Sequence, residues 1–217
     1  MPTKIEIQNR CLAIIGGARK SDPSVSLSGS QRWIEDLYDM VYDEVLALWP
    51  WSTCRGRHRL SAREKAPAFG FSNAYGVPKE VVAVWAVRAG GEWEFEKRHV
   101  LANGGDHLDV LTSDRVDPEH LNPLVGAAIA GRLAFASAMG ASKSTTLSER
   151  IKTIVQDMLY DAMMSDNAQG GSLANLTSDW SLGMVSAARP EERVASLSWS
   201  AFDPEEAYAR GAIEVPG

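Results

Sequence analysis

Four histidines are the side chains of this sequence best suited to acid–base chemistry, and none of them stands in a catalytic motif. They are His58, His99, His107 and His120. Nucleophilic catalysis needs a serine or cysteine beside a histidine that a carboxylate orients. The sequence contains no G-x-S-x-G elbow and no Cys–His pairing of a known kind. A lone histidine in a β-region is more often a surface residue than a base, so we predict that the protein is not an enzyme.

Metal and phosphate chemistry are equally poorly supported. His107 and Asp109 lie among further aspartates at positions 106, 114 and 117, but the spacing matches neither H-E-x-x-H nor a calcium loop. The glycine-containing segment 16–20 lacks the frame of a phosphate loop and is interpreted as a helix end. Cys11 and Cys54 do not have zinc spacing and are predicted to be reduced and buried. We therefore expect no cofactor and no metal.

A basic series is the strongest electrostatic feature. Arg55, Arg57 and Arg59 alternate, so in a strand they would share one face. The preceding helix carries acidic residues on one face, among them Asp36, Asp39 and Asp43. Three interpretations of the basic series stay open: a solvated strand face, an interface with another subunit or a partner protein that pairs with the acidic helix, and contact with DNA. A heterologous ring needs two complementary patches on one subunit, which this pair would supply.

Composition restricts the class of protein. The chain has 217 residues, 45% of them apolar, and a formal net charge of −6. A free-standing nucleic-acid binder usually carries a basic face, so tight DNA binding is not expected. The N-terminus lacks the apolar core of a signal peptide, and no apolar run reaches the ~18 residues that span a bilayer. The sequence thus predicts a soluble protein made in a cytoplasm, with no membrane partner.

Apolar spacing predicts an α+β fold, mainly an α-helical bundle with an inserted small antiparallel β-region and an extended C-terminal arm. The main domain would span 1–171, with the bundle at 3–50 and 117–167 and the β insertion at 53–112; the arm would span 172–217. The predicted helices run from Thr3 to Gly16-Gly17, from Ser28 or Ser30 to Pro50, from Asp117-Pro118 through a stretch of small residues, and from Ser144 or Thr146 to about Asn167. Two interpretations of the segment 172–217 stay open, a partly disordered tail and an arm that becomes ordered on a partner. Isolated large apolar anchors favour the arm: Leu176, Trp180, Trp199, Phe202 and Tyr208.

Several weak motifs occur in one order between residues 10 and 165. They are Asn9-Arg10-Cys11-Leu12 before Gly16; Leu37-Tyr38 with Asp43-Glu44-Val45-Leu46; Trp49-Pro50-Trp51 followed by Arg57 and Leu60; Phe71, Ala74-Tyr75 and Val77-Pro78; Glu92-Trp93; and the helix start at Asp117-Pro118. In this order the sequence resembles the tail tubular protein A, or head-to-tail adaptor, family of short-tailed bacteriophages. Related adaptors occur in gene transfer agents.

The resemblance implies a structural role without catalytic residues. Such an adaptor forms a ring, typically a dodecamer, beneath the portal protein, connects it to the tail nozzle and lets DNA pass without specific binding. It would lie in the head–tail neck of a virion and be made in the host bacterial cytoplasm. The candidate interface residues are then Arg55, Arg57, Arg59, Asp36, Asp39, Asp43 and the four aromatic anchors of the arm. The alternatives are a small tail-associated hydrolase of the cell envelope, acting through His99 and His107, and another neck or binding component.

Overall fold

The structure, a computed structural model, describes residues 1–20, 29–63, 65–88, 91–142, 145–171 and 181–182. These ranges contain four α-helices and seven β-strands. The helices are α1 (Lys4–Ile15), α2 (Gly29–Leu48), α3 (Pro123–Ser142) and α4 (Thr145–Asp166). The strands are β1 (Arg55–Ser61), β2 (Asn73–Gly76), β3 (Val81–Val87), β4 (Trp93–Glu96), β5 (His99–Ala102), β6 (His107–Asp114) and β7 (Ser181–Leu182).

The fold is α+β, and the prediction that it is mainly a helical bundle is wrong. Two antiparallel sheets have the strand orders β1-β6-β3-β7 and β2-β5-β4, and all of their strands except β7 lie between α2 and α3 in the chain. They build an apolar core of their own around Leu60, Tyr75, Val100, Leu108 and Val110. Helical periodicity in the sequence revealed the helices, but it could not show that the strands also close a core. Apart from β7, the predicted arm at 172–217 lies outside the described residues.

Two compact units divide the described chain. The helical unit holds residues 1–42 and 122–162, and the sheet unit holds 43–121, 163–171 and β7. In the helical unit the predicted ends of α1 are confirmed. Thr3 and Glu6 form a capping box, and Gly16 ends the helix with a φ of 73°. Both signals are local, which is why they could be read from the sequence.

Helix α3 is the buried helix of the helical unit. From Val125 to Ala138 nearly every residue is buried, in accord with the small residues that suggested a central helix. A Cβ on Gly131 would lie 3.0 Å from the sulfur of Met158 and 3.2 Å from Val155 Cγ2. Glycine therefore lets α4 approach α3 closely.

The start of α3 differs from the prediction. The helix begins at Pro123, where Asn122 Oδ1 accepts a hydrogen bond from the backbone N–H of Leu124 at 2.9 Å. The predicted start at Asp117 opens only a 3₁₀ turn, Pro118–His120, and makes no side-chain cap bond. The chain has two cap-proline pairs in succession. The second starts the α-helix because Leu121, between them, has an extended backbone (φ −73°, ψ 148°).

The strands do not form the single meander that the sequence suggested. Strands β4 and β5 form a hairpin that β2 joins, but β6 crosses to the other sheet and pairs with both β1 and β3. The two residues between β4 and β5, Lys97 and Arg98, both have positive φ, as a two-residue hairpin turn requires. Register shifts mark bulges in β3. In the described part of the chain no helix is long and apolar enough to cross a membrane.

Candidate functional site

The aromatic segment that ends α2 is fixed by hydrogen bonds within the sheet unit. The predicted helix end is confirmed, because α2 stops at Leu48, two residues before Pro50. The indole of Trp51, which is fully buried, donates to the carbonyl oxygen of Val45 at 2.8 Å. Asp166, which is 1% exposed at the end of α4, accepts three further bonds. They come from Trp49 Nε1 at 3.3 Å, Ser52 N at 2.9 Å and Ser52 Oγ at 2.6 Å.

The three predicted basic residues lie at alternate positions of β1, but their surroundings differ. Arg55 is half-buried and donates to the carbonyl oxygen of Pro50 at 2.9 Å; burial lowers its pKa. Arg59 makes two bonds to Asp109, at 2.7 and 3.1 Å, which raise the pKa of the guanidinium and lower that of the carboxyl. Arg57 is exposed and makes no hydrogen bond or ion pair with a residue that the structure describes. Arg57 is thus the member of the series most available to a partner.

The acidic residues predicted for the same interface lie on α2. Asp36 and Asp39 are exposed in the helical unit. Asp43, in the sheet unit, accepts two bonds from Arg115 Nη1 at 2.7 and 2.8 Å, so its charge is balanced within the chain. The pairing of this helix face with the basic strand stays a prediction. The remaining predicted interface residues, Trp180, Trp199, Phe202 and Tyr208, lie outside the described residues.

A further acidic side chain of α2, Glu35, is the centre of an ion cluster in the helical unit. It binds Lys4 Nζ at 2.7 Å, Lys20 Nζ at 2.9 Å and Gln8 Nε2 at 2.8 Å. Partial burial opposes ionisation of Glu35, but these hydrogen bonds outweigh it and lower its pKa to about 2. The cluster joins α1, the segment after it and α2, so its role is to stabilise the fold of the helical unit.

Two histidines have defined partners, and neither arrangement is a catalytic triad. His58 Nε2 lies 2.9 Å from Asp114 Oδ2, and Thr112 donates to the same carboxylate at 2.6 Å. His107 Nδ1 lies 3.4 Å from Ser61 Oγ on the exposed edge of the sheet, and no described carboxylate is bonded to this histidine.

Two of the candidate metal ligands form ion pairs with other side chains. Asp109 pairs with Arg59 and Asp114 with His58. Among the described residues there is no group of three histidine, cysteine or acidic side chains placed to hold a metal.

Sequence reasoning missed a groove on one face of the β2-β5-β4 sheet, with a volume of about 600 Å³. The sheet register places Ala74, Leu101 and Glu94 in one row and Gly76, His99 and Glu96 in the next. Arg63 and residues 65–71 form the other wall, which we call the loop wall, and Phe69 on it is 88% exposed. The alternation Glu92-Trp93-Glu94-Phe95-Glu96 was the signal that could have revealed its acidic side.

The two cysteines are free and buried, which confirms the prediction. Burial raises the pKa of Cys11 to about 12 and that of Cys54 to about 11. Thiols with such pKa values hold almost no thiolate at neutral pH and are poor nucleophiles.

Comparison with known proteins leaves the chain without an assigned family: no family model matches it, and no curated protein matches it. The class of protein that the structure defines is an α+β protein with one helical and one sheet unit.

Proposed function

We propose that this protein is a structural adaptor of a tailed phage or phage-like particle, without enzymatic activity. It forms a ring, as a dodecamer, beneath the portal protein, connects the portal to the tail nozzle or tail tube and lets DNA pass. The observation that carries the proposal is the ordered set of motifs around Trp49-Pro50-Trp51. These residues act structurally, since Trp51 is buried and Trp49 is held by Asp166.

The electrostatics of the described surface support an assembling protein more than a DNA-reading one. The net charge of −6 opposes tight binding to DNA, which suits a lumen that DNA passes through. The cationic side chains of β1 stand on one exposed strand instead of forming a broad basic face. A strand of this kind fits a protein partner with acidic residues.

Electron microscopy of the native particle tests the location. We expect density for the two units of this chain in the neck, between portal and nozzle, in a closed ring. Deletion of the gene should yield DNA-filled heads without attached tails. Finding this chain anywhere other than the neck would refute the proposal.

A substitution separates the adaptor from a hydrolase. The variant His107→Ala should leave infectivity unchanged, because His107 is exposed and contacts only Ser61 among the described residues. Loss of infectivity with normal assembly of tailed particles would favour catalysis instead.

A further inference from the structure

Two strands of the sheet unit carry opposite charges in the same alternating pattern. Residues 55–59 read Arg-Gly-Arg-His-Arg, and residues 92–96 read Glu-Trp-Glu-Phe-Glu. The first segment begins β1 and the second contains β4. Because alternate residues of a strand share one face, each segment presents charges of a single sign on one side.

Both strands lie at the edge of a sheet. Strand β1 is the terminal strand in the order β1-β6-β3-β7, and β4 is the terminal strand in the order β2-β5-β4. Among the described residues no strand pairs with the outer edge of β4 or with the outer edge of β1 itself. Just beyond β1 the chain is bonded to β2, through the bridge from Ala62 to Tyr75 and a hydrogen bond from Arg63 N to the carbonyl oxygen of Ala74. Edge strands leave backbone N–H and C=O groups that can pair with another chain.

The charges on these two edges are largely available. Arg57 and Glu94 are exposed and make no hydrogen bond or ion pair with any described residue. Arg59 contacts Asp109 but keeps 69% of its side chain exposed. Within the described ranges Glu96 forms an ion pair with its exposed neighbour Lys97, at 3.1 Å, and keeps 52% of its side chain exposed.

Charge decides which edges can meet. Two copies of β4 side by side would place glutamate against glutamate, and two copies of β1 would place arginine against arginine, which is destabilising. The strand orders show that β1 and β4 do not pair within one chain. The favourable pairing is therefore β1 of one copy with β4 of another.

We propose that the outer edge of β1 in one copy pairs with the outer edge of β4 in the next copy, so that the two form a continuous intersubunit sheet. Arg57 then lies opposite Glu94. The inference deepens the proposed ring, because an interface between two different surfaces is heterologous and closes into a ring when its rotation closes.

The central pair does not depend on strand direction. Arg59 faces Glu92 if the strands run antiparallel and Glu96 if they run parallel. In both registers Arg57 faces Glu94.

The groove described above gives the partner arginines space. Glu94 and Glu96 form one of its walls, so a guanidinium that reaches them enters the groove. The exposed ring of Phe69 lies in the same groove and can accept a cation over its face. Arg63 and Lys65 lie on the loop wall, and their positive charges repel the partner arginines toward the glutamates.

Disulfide trapping of the full chain tests the contact. The two native cysteines are buried, so introduced cysteines dominate cross-linking. The variant Arg57→Cys plus Glu94→Cys should give a ladder of dimer, trimer and larger species under mild oxidation, because each subunit has both halves of the contact. Arg57→Cys alone and Glu94→Cys alone should stay largely monomeric. A ladder that is absent, or dimers of equal yield from the single variants, would overturn the proposal.

Charge reversal gives an independent readout that also controls for folding. Arg57→Glu and Glu94→Arg should each weaken self-association at least about tenfold, whereas mixing the two variants, or combining both changes in one chain, should restore it. Arg10→Glu, on the exposed surface of α1, is the matched control and should associate like the wild type. Circular dichroism checks that all variants fold.

Failure of the interface and failure of the proposed function remain distinguishable. If the reversals leave association unchanged, the intersubunit sheet is wrong even when microscopy places the chain in the neck. If the reversals behave as expected but the chain is not in the neck, the interface stands and the adaptor role falls.

Discussion

Removal of the Asp166 side chain should destabilise the sheet unit, because this buried carboxylate is a shared hydrogen-bond acceptor. Its carboxylate is 1% exposed and accepts bonds from the backbone and hydroxyl of Ser52 and from the indole of Trp49. Its negative charge also offsets part of the desolvation cost of burying the Arg55 guanidinium. At about 1.5 kcal/mol for each hydrogen bond to a charged group, the two short bonds from Ser52 contribute about 3 kcal/mol. The bond from Trp49, at 3.3 Å, adds little.

We therefore expect Asp166→Ala to lower the free energy of unfolding by about 3 kcal/mol, which corresponds to roughly 6–12 °C in Tm for a chain of this size. Asp166→Asn keeps one acceptor oxygen and should cost about half as much. Urea denaturation followed by circular dichroism measures the change. The exposed Asp157 lies on the same helix, so Asp157→Ala is the control and should stay within about 0.5 kcal/mol of the wild type. Equal stability of the two alanine variants would refute the assigned role of Asp166.

Three further predictions concern the helical unit and the thiols. The pKa of Glu35 is lower in the folded protein than in the unfolded chain. Its cluster therefore stabilises the fold above the unfolded pKa near 4.5, and this stabilisation is lost as the pH falls toward about 2. In Glu35→Gln the free energy of unfolding should vary less with pH across that range. Gly131→Leu should lower the free energy of unfolding by about 2 kcal/mol or more, because the new side chain presses against Met158. Leucine at the half-exposed Ala136 is the control and should be tolerated, and thermal unfolding measures both. Cys11 and Cys54 should resist a thiol reagent at pH 8 in the folded protein and react fully in denaturant; fast native labelling would contradict their burial.

The features that sequence reasoning predicted correctly are those that neighbouring residues determine. The capping box of α1 spans four residues, from Thr3 to Glu6, and the end of α2 needs only a proline with the residue before it. The start of α3 was misplaced because two cap-proline pairs compete and the backbone at Leu121 decides between them. The third helix was nevertheless expected, since its small apolar residues extend well past both candidate starts.

Long-range partners could not be predicted. Trp49 and Asp166 are 117 residues apart, and nothing near either residue indicates the other. The strands form two sheets because β6 does not pair with β5, the strand before it. Instead, β6 lies between β1 and β3. A run of strands with glycine turns is equally consistent with a simple meander, because local turn signals do not specify which strand a later strand joins.

The two alternating charged segments show how topology changes the meaning of a sequence pattern. In the interior of a sheet, strands with glutamate and arginine at alternate positions would satisfy each other within the chain. Here the charged segments are at the outer edges of different sheets, so each one repels its own kind and the two do not pair in the same subunit. A pattern that blocks edge-to-edge aggregation of identical strands therefore also selects one partner. That partner is the opposite edge of a second copy, and it fits the proposed ring better than the pairing of β1 with α2, where Asp43 is already bound to Arg115.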